Sequence, residues 1–195
     1  MKELLKESEL IVAHGQNYEI GMHGKLPWNG DMSLDLRHFR HAIAGRSVVM
    51  GRNTYHDIGH PLSTAAETIV ISRTQHFGQG IVTATSFEEA CREAKYPIMF
   101  AGGDEVYRLA LPFVRRAHVT EISASFPNAD TFFTPLPPEY HEVSREHYDA
   151  NGRNNRYACD FVTYEAQRIE VPEPEATVIA PPKLEQSRWQ KFLHG

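Results

Sequence analysis

Asp35 stands where a carboxylate is expensive. Between Ser33 and Ala44 the apolar residues Leu36, Phe39 and Ile43 are spaced three and four apart, which is one face of an amphipathic helix. Asp35 lies four residues before Phe39, so both side chains point the same way. A carboxylate buried on such a face needs donors from the protein or from a ligand. The plain alternative is an exposed first-turn acid favoured by the helix dipole. Asp31 competes for the special role, but it precedes the apolar face and is expected to cap the helix. Upstream, Ile20-Gly21-Met22 and Leu26-Pro27-Trp28 make a loop that leads into this helix.

Three strand ends could meet an anion. Val48-Val49-Met50 runs through Gly51-Arg52-Asn53-Thr54 into a short helix, where free amides hold phosphate oxygens and Arg52 adds a charge. Ile98-Met99-Phe100-Ala101 ends in Gly102-Gly103-Asp104 before another helix, and glycines there allow close backbone approach by a ligand. Ser72-Arg73-Thr74 closes a third strand with two hydroxyls around a guanidinium, which suits a phosphate. Each pattern also fits an ordinary turn, and neither a GxGxxG fingerprint nor a GxxxxGK[ST] phosphate loop occurs.

The scaffold that must position these residues is a folded domain. With 41% hydrophobic and 10% aromatic residues in 195, the chain is too apolar to be disordered, and a net charge of −5 excludes a general nucleic-acid binder. Cys91 and Cys159 are far apart and without a CxxC partner, which argues against a disulfide framework or a cysteine zinc site and for a reducing cytoplasm. Met1 to Glu9 is too charged for a signal peptide, and no run approaches the roughly 20 apolar residues of a membrane span. Eleven histidines occur without an HExxH pattern; His38 and His41 are three apart, but no metal is expected.

Leu10–Ala13, Val48–Met50, Ile69–Ile71 and Ile98–Ala101 read as buried strands, separated by helices at Ser33–Ala44, Thr54–Ile58, Ser86–Lys95 and Val106–Leu111. Ser86-Phe87-Glu88-Glu89 is a capping box. Ala117–Ile122, Tyr140–Tyr148 and Arg156–Glu165 are strand-like without intervening helices, and Asn151-Gly152 marks a turn. The expected class is α/β, a predominantly parallel central sheet with antiparallel C-terminal strands and helices on both faces. A domain over 1–166 is followed by a Pro/Glu-rich extension over 167–195. In it Leu184, Trp189, Phe192 and Leu193 could form a short helical anchor for a partner protein, for a second subunit or for the domain itself; the alternative is a disordered tail.

In order and spacing, Ile20-Gly21, Leu26-Pro27-Trp28, Asp35…Phe39, Met50-Gly51-Arg52…Thr54, Ile58-Gly59…Pro61-Leu62, Ser72-Arg73, Ala101-Gly102-Gly103…Val106-Tyr107, Leu111-Pro112, Thr120-Glu121-Ile122 and Asp130-Thr131-Phe132-Phe133 resemble the dihydrofolate reductase family. The resemblance covers roughly residues 8 to 166. It implies NADPH-dependent reduction of dihydrofolate to tetrahydrofolate, with no nucleic-acid or membrane partner. Asp35 matches the acid that grips the pterin, Thr120 the hydroxyl supporting it, and Trp28 the ring that holds a water nearby. Residues 15–28 match a lid over the nicotinamide, with Leu26 at its inner position. Ile11, Val12, Leu36, Phe39, Ile58 and Leu62 match the substrate pocket. Ala13 and Ile20 match the nicotinamide pocket, with Tyr107 reaching toward it. Gly51, Arg52, Asn53 and Thr54 match the first phosphate turn, and Ser72 and Arg73 the 2′-phosphate contacts. Ala101, Gly102, Gly103, Asp104, Glu105 and Val106 match the turn and helix start at the pyrophosphate, where the family joins its glycine pair by a cis peptide.

Two departures stand out. The stretch from Trp28 to Asp35 is longer than the family pattern. The arginine that grips the folate's α-carboxylate is missing from Pro61-Leu62-Ser63-Thr64-Ala65-Ala66-Glu67. Arg37 and Arg40 are the candidates to replace it, unless they form a solvated helix face. The competing readings are a reductase of another pterin or of a riboflavin-pathway pyrimidine, and a non-catalytic protein reusing the fold.

Overall fold

Short apolar runs become the middle of an eight-stranded sheet. The computed structural model describes residues 5–152 and 155–167. Its elements are β1 (Glu9–His14), β2 (Glu19–Gly21), α1 (Ser33–Ala42), β3 (Ser47–Gly51), α2 (Arg52–Ile58), β4 (Glu67–Ile71), β5 (Ile81–Ala84), α3 (Phe87–Glu93), β6 (Ile98–Phe100), α4 (Asp104–Ala110), β7 (Arg116–Ile122), β8 (Thr131–Phe132), β9 (Tyr140–Tyr148) and β10 (Cys159–Ala166). The large sheet runs β5-β4-β3-β6-β1-β7-β10-β9. Strands β5 through β7 in that order are parallel, whereas β10 is antiparallel to both β7 and β9. This is the expected class, and the reason lies in burial. Val48, Val49 and Met50 are all fully buried, because helices cover both faces of the parallel part.

Alternation along each strand divides the core. Leu10, Val12, Val49 and Phe100 face α3 and α4, packing with Phe87, Cys91, Val106 and Tyr107. Ile11, Val48, Met50 and Met99 face the other way, against Ile43 and the half-buried Phe39, Tyr55, Ile58 and Leu62 around α1 and α2. Helix α1 differs from α3 and α4 in that none of its residues is fully buried.

Several elements depart from the sequence reading. Helix α1 stops at Ala42, and α2 and α4 begin two residues earlier than expected, at Arg52 and Asp104. Strand β10 starts only at Cys159, Arg156 lying in the preceding turn. The edge strand β5 and the small antiparallel pair β2–β8 were not anticipated. The capping box is half formed. Glu89 donates its amide to Ser86 Oγ at 3.1 Å, but its carboxylate accepts from the Thr85 amide at 2.6 Å instead of reaching Ser86. Ser86→Ala should cost about 1 kcal/mol, readable as a lower urea midpoint with unchanged slope.

Among the described residues no helix is long and apolar enough to cross a membrane. The expected anchor around Leu184, Trp189, Phe192 and Leu193 lies outside the described residues.

Candidate active site

Asp35 sits in the first turn of α1, half-buried, with its carboxylate against the Thr120 hydroxyl. Thr120 is buried in β7, flanked by Ala13 of β1 and Phe161 of β10, so three strands fix it. Burial pushes the carboxyl of Asp35 up to about 6, against the opposing pull of the Thr120 hydrogen bond. Its charge also bears on the Tyr107 phenol and the Cys159 thiol, and burial, the larger cause, moves both of these upward too. Tyr107 is held by donating to the Ile11 carbonyl at 2.8 Å. Among the described residues no cation pairs with Asp35. A carboxylate so placed can accept two hydrogen bonds from a flat donor edge.

Asp31 does not cap the helix. It accepts from Arg156 Nη1 at 2.9 Å, and the N-cap position is Met32, without a side-chain hydrogen bond. The extra length between Trp28 and α1 thus serves a contact with the turn before β10.

Around Asp35, apolar side chains left open to solvent mark the candidate substrate cleft. Leu36 is 45% and Leu26 is 40% exposed, large apolar side chains with no cover of their own. Phe39, Ile58 and Leu62 are half-buried on the same side of the sheet as Ile11. Val12 points to the opposite core, which leaves only its backbone for the cleft. The loop over residues 15–28 carries Leu26 and Trp28 and leads into α1. Trp28 is buried with Met32, Ile122, Phe126 and Cys159, and Ala13 packs beside them. Ile20 is half-buried in β2. Near the loop's C-terminal end, Asp57 of α2 accepts a hydrogen bond from the Leu26 amide, with the Lys25 charge close enough to act on it.

The three anion-binding turns come together in one groove. A cavity of about 500 Å³ is lined by Gly51 to Thr54, Ile71 to Thr74, Thr85 to Glu88, Gly103 to Val106 and Leu109. Arg52 reaches across it, donating to Thr74 Oγ1 at 2.6 Å, while Arg73 is exposed and, among the described residues, makes no hydrogen bond or ion pair. Ser72 is buried, its hydroxyl accepting from the Gln75 amide at 3.0 Å. The Gly102–Gly103 peptide is cis, and Gly102 has φ 112. A Cβ there would press on Thr54 Oγ1 and Tyr107 Oη, each 3.3 Å away. Ala101 is buried beneath the turn, and Asp104 and Glu105 open α4. Paired guanidinium groups, hydroxyls and side-chain-free backbone suit an extended, doubly phosphorylated ligand.

The two alternative arginines separate. Arg37 is exposed and lies close enough to Tyr148 of β9 to act on its phenol. Arg40 is exposed, one turn beyond Leu36 on the same helix flank, and among the described residues has no partner. Leu62 and Ala65 pack half-buried against the same core, and Pro61 to Glu67 contains no Lys or Arg to offer the cleft. His38 stacks on Phe161 with ring centroids 4.1 Å apart. A larger cavity, about 670 Å³, is lined by His14, Phe133, Leu136, Tyr140 and Tyr164 among others, with Gly15, Gln16 and Tyr18 from the start of the loop. Sequence reading missed the Asp57–Leu26 contact and the buried carboxylate of Glu19 at the loop's root.

A family model described as dihydrofolate reductase matches residues 8–166. The type 3 dihydrofolate reductase of Salmonella typhimurium is 37% identical over 166 residues, 82% of this chain and 98% of that protein. The dihydrofolate reductase of Haemophilus influenzae is 35% identical over 155 residues, 78% of this chain and 94% of that one. Among solved structures, dihydrofolate reductase from Enterococcus faecalis complexed with NADP(H) and RAB-propyl has a TM-score of 0.75 at 27% identity, covering 84% of this chain and 98% of that chain.

Proposed function

The chain belongs to the dihydrofolate reductase family, and on that premise we propose that it reduces 7,8-dihydrofolate to 5,6,7,8-tetrahydrofolate with NADPH. The observation that carries this reading is the placement of Asp35, its carboxylate against the buried Thr120 hydroxyl and, among the described residues, without a cation, beside apolar side chains left open to solvent. Such a group is costly unless a ligand's donors satisfy it.

Asp35 accepts from the 2-amino group and adjacent ring nitrogen of the pterin, and Thr120 fixes its orientation. NADPH, when bound, supplies the hydride. The gly-rich turns at Gly51–Thr54 and Ala101–Val106 hold its phosphates, Ser72 and Arg73 its 2′-phosphate, and Ala13, Ile20 and Tyr107 border its nicotinamide. Leu36, Phe39, Ile58 and Leu62 hold the substrate so that donor and acceptor carbons meet at reacting distance. The ring nitrogen must gain a proton. The dry negative charge of Asp35 raises its basicity, and the opening beside Leu26 and Trp28 is the path for that proton. Residues 1–166 are the catalytic domain, working in the cytoplasm where its cofactor is abundant, with the Pro/Glu-rich extension 167–195 outside it. Dihydrofolate-dependent oxidation of NADPH tests the assignment directly; bound NADPH without turnover would defeat it.

The lack of a cation in Pro61–Glu67 favours a second reading, a weaker grip on the glutamate tail, with Arg40 as its remaining holder. Arg40→Ala should raise KM for dihydrofolate about tenfold, leave kcat in place, and leave KM for a tail-less dihydropterin unchanged. Parallel changes for both substrates would remove Arg40 from that role.

A further inference from the structure

Glu19 is among the largest fully buried side chains, with 2% exposure, in a three-residue strand at the root of the loop over the cleft. Burial alone would push its carboxyl up. Hydrogen bonds from the Phe126 backbone, the Asn17 side chain and the Asn17 backbone outweigh that and hold it below the usual range. Among the described residues no cation takes part. Oε2 accepts from the Asn17 amide at 2.8 Å, and Oε1 accepts from Asn17 Nδ2 at 3.0 Å and from the Phe126 amide at 2.9 Å.

The carboxylate therefore joins two segments that are over a hundred positions apart. On one side is the tight turn of residues 15–18, where Tyr18 has φ 65 and Gly15 leaves the space for Glu19: a Cβ on Gly15 would lie 2.6 Å from Oε2. On the other side is the segment at Phe126, whose ring packs 5.8 Å from that of Trp28. The contact is reinforced nearby by Gln16 donating its amide to the Ala124 carbonyl at 2.9 Å and by the β2–β8 pair. Ile20 follows Glu19 directly. One buried anion thus sets the position of Ile20 through the chain and of Trp28 through Phe126.

We propose that Glu19 is a positioning residue for hydride transfer, fixing the root of the loop so that Ile20 and Trp28 stand correctly around the nicotinamide and the pterin. The proposal rests on the reductase reading above. An isosteric amide cannot replace the carboxylate, because both oxygens accept from a backbone N–H and one would become an NH₂ facing a donor.

Glu19→Gln should slow single-turnover hydride transfer about tenfold and raise the deuterium isotope effect on kcat, as chemistry becomes more rate-limiting. NADPH affinity, read by quenching of tryptophan fluorescence, should fall severalfold. Affinity for an adenosine fragment carrying only the 2′-phosphate, which does not touch the loop, should not change. In the ligand-free protein, amide exchange should quicken at residues 15–20 and 124–127 and stay the same in β3 and β4. Asn17→Ala, which removes one exposed donor, should give the same pattern in weaker form and serves if Glu19→Gln fails to fold. Wild-type hydride transfer in a folded variant overturns the proposal. So does an equal loss of fragment and NADPH affinity, which would mean general destabilisation. Absence of turnover in the wild type would instead strike the reductase reading and leave the exchange result to judge Glu19.

Discussion

Asp35→Asn should lower turnover at pH 7 about a hundredfold or more, and at the same pH make the ligand-free protein more stable by up to about 3 kcal/mol. The stability half follows from the sign of the perturbation. The carboxyl titrates at about 6 in the fold against an ordinary 3.8, because burial disfavours its charge. Between those values the folded state holds more protons than the unfolded chain. The penalty is therefore absent below the ordinary value, grows as pH rises through the window, and is complete above about 6. Asparagine carries no such penalty, so urea unfolding at pH 5 and pH 7.5 should show a gap between variant and wild type that widens with pH. The side chain is only half-buried, which makes the figure an upper bound. The catalytic half follows from the proton that the substrate's ring nitrogen must gain. In the wild type the singly protonated site becomes scarce above about 6, and hydride transfer should fall toward tenfold per pH unit on that side. The variant has no carboxylate to support that proton. Its rate should stay low at neutrality and climb as the medium becomes acidic, with NADPH affinity nearly intact. Equal rates for variant and wild type at pH 7 would remove Asp35 from the chemistry.

Arg73→Ala should raise KM for NADPH by about 10- to 100-fold, the worth of a charge-assisted hydrogen bond to a phosphate, and leave KM for NADH where it was. Arg73 is exposed at the rim of the groove and, among the described residues, has no protein partner to satisfy, so the substitution removes a ligand contact and little else. Arg52 makes a useful contrast, since it is already engaged by Thr74 and its loss would disturb the groove itself. The wild-type preference for NADPH should also shrink as salt is added, since an exposed charge is screened. A uniform loss for both cofactors would show that Arg73 supports the fold and does not read the phosphate.

The central strands were legible because parallel strands covered on both faces must be apolar throughout, as Val48, Val49 and Met50 are. Strand β5 was not, because it is a four-residue edge strand directly after Gly78-Gln79-Gly80 and buries only Ala84 fully. The β2–β8 pair holds too few residues to leave a pattern. In the site, helical spacing put Asp35 with Leu36 and Phe39, and the strand ends gave the candidate phosphate turns, which line one groove. Asp31 was misread because its partner, Arg156, is distant in sequence; a lone acid before a helix looks like a cap whether or not it is one. Glu19 was invisible for a related reason. Its donors are mostly backbone amides, which every sequence has, and only the fold says which of them point at a carboxylate.

Helix α1 has a further consequence for how long the protein lasts in a cell. It contributes no fully buried residue, and its flank at Leu36 stays wet, so one wall of the core is left for small molecules to complete. Occupancy then adds to the free energy of unfolding as the logarithm of ligand concentration, about 2.7 kcal/mol at a hundred times the dissociation constant. Resistance to heat and to proteases should consequently track the supply of folate and reduced nicotinamide, and a starved cell would hold the same polypeptide closer to its melting point.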